Sequence, residues 1–108
     1  MPAPLLLALA IVAEVIGTVA LRESDGFSRP VPAAIMVVTY GVSFWLLALT
    51  LRSIPLSVTY AVWSAVGTAA IAAIGIIAFG EHATALKLAS LTLIIAGVVG
   101  LNVGGASH

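Results

Sequence analysis

Apolar runs, each about the length of a membrane crossing and each closed by a short polar interruption, divide this chain into four. A helix needs roughly 20 mostly apolar residues to cross about 30 Å of hydrocarbon. The pattern predicts spans at Ala3–Leu21, Val31–Leu51, Val58–Phe79 and Ala85–Val103. The interruptions read Arg22-Glu-Ser-Asp-Gly-Phe-Ser-Arg-Pro30, Arg52-Ser-Ile-Pro-Leu-Ser57 and Gly80-Glu-His-Ala-Thr84. Each holds a breaker or cap: Asp25-Gly26 and Pro30, then Pro55 with Ser57, then Gly80. The Gly104-Gly105-Ala-Ser-His108 tail reads as frayed. Ala8-Leu9-Ala10 has the small-residue spacing of a signal-peptidase site, but it lacks a basic start and a longer preceding apolar region, so the first run is kept as a span.

Composition agrees with the pattern. Of 108 residues 62% are hydrophobic and 7% charged, where a soluble domain carries about 25% charged residues. Mean hydropathy is +1.26. The expectation is an all-α integral membrane protein, one domain over residues 1–108, with its apolar side chains facing lipid or one another. Four Lys and Arg balance four Asp and Glu, which gives no sign of a nucleic-acid partner. The absence of cysteine excludes disulfides, thiolate metal sites and iron–sulfur chemistry. Arg22, Arg29 and Lys87 lie on one side of the predicted spans and Arg52 on the other, a weak positive-inside bias compatible with insertion in both orientations.

Against this background Glu14 stands out, because every other charge falls in a loop or near a helix end. An acid at the centre of a membrane helix costs roughly 2.5 to 3.5 kcal/mol, and such residues face a bundle interior or a water cavity. At three- and four-residue spacing its neighbours are Leu7, Ala10, Ile11, Gly17, Thr18 and Leu21. Ala10, Gly17 and Thr18 make that face small, which predicts room for a ligand beside the carboxylate. The alternative is a protonated acid hydrogen-bonded to a neighbouring helix. Burial penalises the charged carboxylate and a nearby cation favours it. Glu14 can therefore hold a proton or a cationic ligand and holds both poorly, which suffices for exchange.

Partners for a cation are available on the next two spans. Tyr40, Ser43, Phe44 and Leu47 share one face of the second, and Tyr60, Trp63, Ser64 and Gly67 share one face of the third. Aromatic faces attract organic cations, most strongly when water is excluded. An interfacial belt is the competing reading, and it suits Tyr60 better than Tyr40. His82 and His108 read as solvated groups and make no membrane metal pair with Glu14. Ser43 and Ser64 lack a histidine base in the membrane, and no phosphate loop follows a strand. The chain therefore reads as a secondary transporter and not an enzyme, with no cofactor or metal. Four helices packed about 8 to 10 Å apart leave a core filled by side chains, so a path with alternating openings requires a dimer. Ser90, Ala96 and Gly97 offer small positions for close contact on the fourth span.

Taken in order, Ala13-Glu-Val-Ile-Gly-Thr18, Asp25-Gly-Phe-Ser-Arg-Pro30, Ser43-Phe-Trp-Leu-Leu47, Ile54-Pro55, Tyr60-Ala-Val-Trp-Ser64, Ala96-Gly-Val-Val99 and Leu101-Asn102 resemble the small multidrug resistance transporters over essentially the whole chain. The resemblance implies an antiparallel, dual-topology homodimer in the inner (plasma) membrane of a bacterium, with three helices lining a cavity and the fourth dimerising. It implies that Glu14 is the shared site of protons and substrate, and that Tyr40, Tyr60 and Trp63 serve substrate binding or transport. Guanidinium exporters in the family typically carry tryptophan three residues after the glutamate and threonine after Tyr-Ala-x-Trp. Gly17 and Ser64 instead resemble the branch that exports quaternary ammonium compounds and cationic dyes, and Gly17 leaves space for a bulkier guest. The chain departs from the family in Ala65-Val66-Gly67, where Gly-Val-Gly is common and Gly67 remains as the hinge. It departs also at Ser90, often glycine, and at Pro4-Leu5, where an aromatic is usual.

Three readings follow. The first is a proton-coupled exporter of lipophilic organic cations. The second is a guanidinium or polyamine exporter, or one half of a heterodimeric pair. The third is a non-transporting rotor or assembly subunit, disfavoured because rotor subunits usually carry their acid in the second of two spans.

Overall fold

The structure is a computed structural model that describes residues 1–105. Its elements are four helices, α1 (Ala3–Glu23), α2 (Pro30–Thr50), α3 (Leu56–Ala78) and α4 (Ala85–Gly105). All four are long and apolar enough to cross a membrane. Their outward side chains are hydrophobic, Ile77, Leu86 and Val103 being largely exposed, as expected of helices that are apolar all round and solvated by lipid.

The boundaries differ from the predicted spans by one or two residues, because hydropathy marks the hydrocarbon while hydrogen bonding runs on to the caps. α1 takes in Arg22 and Glu23. Pro30 opens α2 at a position where its missing N–H costs nothing. Pro55 is the N-cap of α3, and Ser57, expected to share that role, lies inside the first turn with no side-chain cap bond formed. α4 continues through Gly105, past the expected frayed boundary at Gly104; His108 lies outside the described residues.

Two compact units divide the chain, Met1–Ile54 and Pro55–His108, each a helical hairpin. In the first, α1 packs on α2 through a tight reversal. Asp25, Gly26 and Phe27 all have positive φ, at 49°, 67° and 68°. Two of them are not glycine, at a cost of about 1 to 2 kcal/mol each. Compensating bonds converge on Ser24, which is fully buried. Its hydroxyl donates to the Leu21 carbonyl at 2.7 Å and accepts the Phe27 N–H at 3.2 Å, while its own carbonyl accepts the Arg29 N–H at 3.0 Å. Exposed ion pairs join Glu23 to Arg22 and Arg29 at 3.2 and 3.8 Å.

The seam of this hairpin contains a polar bond. Ser43 on α2 is fully buried and donates to the Ala10 carbonyl on α1 at 2.7 Å. Ala10, itself fully buried, has no side chain to hold the helices apart. In lipid there is little hydrophobic drive between helices, so close packing and such bonds carry the association.

In the second unit α3 packs on α4. α3 closes at Gly80, whose φ of +69° turns the chain so that the Glu81 N–H reaches back to the Gly75 carbonyl at 3.0 Å, which also accepts the Phe79 N–H at 3.2 Å. The Glu81 carboxylate folds over Gly75 and meets Lys87 at 3.6 Å. Thr84 opens α4 by accepting the Lys87 N–H at 3.1 Å. No residue of α4 from Ala85 to Val103 is buried within the chain.

Ser43→Ala removes the bond across the α1–α2 seam. Its expected effect is a loss of about 0.6 to 1 kcal/mol of stability, read as an earlier unfolding midpoint in detergent. An unchanged midpoint would mean that packing alone holds the hairpin.

Candidate functional site

The site is built on α1 around its one mid-span acid, Glu14. Glu14 and Thr18 lie one helical turn apart and therefore on the same face, and the Thr18 hydroxyl donates to Glu14 Oε1 at 2.9 Å. The same hydroxyl is 2.6 Å from the Tyr40 hydroxyl on α2. A hydroxyl has a single hydrogen. With Glu14 ionised, Thr18 gives its own to the carboxylate and Tyr40 donates to Thr18. The result is a directed chain, Tyr40 to Thr18 to Glu14, in which the final bond is strengthened by the carboxylate charge.

Glu14 Oε2 is buried and has no hydrogen-bond partner among the described residues. Its two oxygens are thus unequal. One is held by a threonine and the other is uncommitted in apolar surroundings, where a charge attracts a counter-charge far more strongly than in water.

Gly17 explains how Tyr40 comes so close. A Cβ added at Gly17 would lie 2.5 and 2.6 Å from Tyr40 Cδ1 and Cε1, and 2.8 Å from Thr39 Oγ1. The ring of Tyr40 rests on the bare backbone of α1. This corrects the expectation that Gly17 leaves room for a guest, because in this structure the space is filled from α2. Of the predicted face on α2, Tyr40 meets the acid's relay, Ser43 is committed to Ala10, and Phe44 is 60% exposed with its ring centroid 6.5 Å from that of Tyr40.

The predicted residues of the second unit form a group of their own. Tyr60 and Trp63 form a tilted pair along α3, with ring centroids 5.7 Å apart and an interplanar angle of 53°. Tyr60 is 63% exposed, Trp63 and Ser64 are half-buried, and Gly67 is buried. Ser90 and Gly97 lie on exposed parts of α4, and a Cβ at Gly97 would meet nothing within 4 Å. Among the described residues no three His, Asp or Glu side chains gather into a metal-binding group.

Sequence reasoning missed two participants. Thr39 contributes to the wall over Gly17 while bonding to the Ile35 carbonyl at 2.7 Å; its only signal was a polar β-branched residue beside Tyr40. The seat of Glu81 on Gly75 had no signal, because it depends on how the loop turns.

The family model described as Small Multidrug Resistance protein matches residues 3–94. Similar proteins include the quaternary ammonium compound-resistance protein QacE of Escherichia coli, 45% identical over 91% of this chain and 89% of that one. The quaternary ammonium compound-resistance protein QacC of Staphylococcus aureus is 39% identical over 94% of this chain and 95% of its own. The multidrug resistance protein EbrA of Bacillus atrophaeus is 47% identical over 89% and 91%.

The two close glycine contacts should respond differently to a methyl group. At Gly17 the obstacle is a packed ring, so Gly17→Ala is expected to push Tyr40 off α1 at a cost of about 1 to 3 kcal/mol. At Gly75 it is the end of a flexible glutamate, which can swing away, so Gly75→Ala should be neutral to within about 0.5 kcal/mol. Unfolding midpoints of the two variants compare them directly, and equal losses would contradict the seat assigned to Tyr40.

Proposed function

This chain belongs to the small multidrug resistance family, and from that premise we propose that it is a proton-coupled antiporter exporting lipophilic organic cations such as quaternary ammonium compounds and cationic dyes. As a four-span member with bacterial relatives it is a multi-pass protein of the bacterial inner membrane. The substrate class rests on the names of its relatives, which speak of resistance to quaternary ammonium compounds and to several drugs.

The observation that carries the mechanism is the unequal carboxylate of Glu14, with Oε1 held by Thr18 and Oε2 buried without a partner. A single uncommitted oxygen takes one positive species at a time. A proton arriving from outside discharges the carboxylate and releases the cation there; loss of that proton to the cytoplasm restores the charge and recruits the next cation. Tyr40, Tyr60 and Trp63 serve as the aromatic surfaces for the cation, and Phe44, Ser64 and Gly67 complete the proposed binding and hinge set. A second copy supplies the other half of the path. The unburied length of α4 supports that reading, since Ser90 and Gly97 offer close approach there. A homodimer with both orientations inserted fits the small charge bias of the loops, and transport is its work in place of catalysis.

Binding of tetraphenylphosphonium to the purified protein tests the exchange. Wild-type affinity should fall as pH is lowered, and Glu14→Gln should weaken binding at neutral pH by about thirtyfold or more, the equivalent of about 2 kcal/mol. Binding that is independent of pH and survives in Glu14→Gln would overturn the proposal.

A further inference from the structure

The exchange mechanism treats Glu14 as a point charge, yet its two oxygens have different surroundings, and the difference originates in one hydroxyl. Thr18 Oγ1 bonds Oε1 at 2.9 Å and Tyr40 at 2.6 Å, while Oε2 is buried and unpaired. We propose that Thr18 is the positioning residue of the exchange site, holding Oε1 in a hydrogen-bond chain from Tyr40 so that Oε2 is the one atom to which both the proton and the cation go. The proposal rests on the exchange reading above and deepens it, because it gives the competition a single atom.

Counting hydrogens separates the two placements of the proton by what each does to the chain. With Glu14 ionised, the chain runs one way, Tyr40 to Thr18 to Oε1, and every donor has an acceptor. A proton added to Oε2 leaves that chain untouched. If it were added to Oε1, the acid would have to donate to Thr18, Thr18 would turn its hydrogen to Tyr40, and the Tyr40 hydrogen would need a new acceptor. The ring's seat on Gly17 holds the Tyr40 hydroxyl at Thr18, so a proton on Oε1 has to reverse both bonds of the chain, whereas a proton on Oε2 brings its own hydrogen and reverses neither. No other charge competes within the hairpin. α2 carries no charged side chain between Pro30 and Thr50 and one titratable group, Tyr40 itself. On α1 the remaining charges, Arg22 and Glu23, lie at the far end and pair with each other, and Glu23 also pairs with Arg29.

Two measurements on the full-length protein test this, with Thr18→Val and Thr18→Ser as the variants. Valine keeps the shape and removes the hydroxyl; serine keeps the hydroxyl. The first is the carboxylic C=O stretch of protonated Glu14 in infrared difference spectra taken without ligand at acid pH, assigned by its loss in Glu14→Gln. With the proton on Oε2, the C=O is Oε1 and accepts from Thr18. The band should therefore move to higher frequency in Thr18→Val and stay in place in Thr18→Ser. A band unmoved in Thr18→Val overturns the proposal, whether or not any cation binds.

The second is tetraphenylphosphonium affinity across pH. Without the Thr18 bond the proton competes better, so Thr18→Val should bind about tenfold more weakly near neutral pH. The gap should close at alkaline pH, where protons no longer compete, and Thr18→Ser should stay within about threefold of wild type throughout. A deficit of the same size at every pH would make Thr18 a packing residue and overturn its assigned role. Wild-type binding that ignores pH would instead defeat the exchange reading, while the infrared band would still decide which oxygen carries the proton.

Discussion

A carboxyl group in the middle of a membrane helix must be held by neighbouring polar groups, since hydrocarbon offers it none. In this chain the holders are a threonine one turn along the same helix and a tyrosine from the next one. Much of the first hairpin's inner face follows from that requirement. Tyr40 can reach Thr18 because Gly17 leaves the α1 backbone bare. The register of α2 that brings Tyr40 there also places Ser43 against the Ala10 carbonyl. The small residues of α1 thus set the approach of α2, and the approach of α2 sets the environment of the acid.

This arrangement has a chemical consequence beyond stability. A symmetric carboxylate in water offers equivalent oxygens to any cation or proton. In the exchange proposed above, tying one oxygen into a chain of hydroxyls leaves the other for the proton or the cation, and its burial strengthens whatever electrostatic partner it finds. The geometry is therefore suited to a site that must choose between two positive species.

The second hairpin is built on different terms. Its loop is fixed by a glycine-terminated helix end and a Glu81–Lys87 pair, and the Thr92 and Asn102 side chains of α4 bond back to carbonyls of their own helix. Its exposure within one chain is compatible with lipid or with another protein surface. Tyr60 and Trp63 form a tilted aromatic pair along α3, a feature of spacing within one helix that required no partner element to create.

The sequence by itself determined what depends on composition and local period. The four spans, their order, the breakers between them, the isolation of Glu14 and the shared face of Tyr60 and Trp63 could all be read from residue types, because a bilayer imposes its length on each apolar run and a helix imposes its turn on each face. Pattern also grouped Gly17 and Thr18 with Glu14 and placed Tyr40 and Ser43 on a shared face of α2. Only the tertiary structure decided what those residues do to one another. It filled the gap at Gly17 with the Tyr40 ring, turned Ser43 into the seam, moved the start of α3 to Leu56, and made the two oxygens of Glu14 unequal. Those outcomes depend on the register and closeness of two helices, which come from side-chain packing between segments far apart in the chain and leave no periodic trace in either.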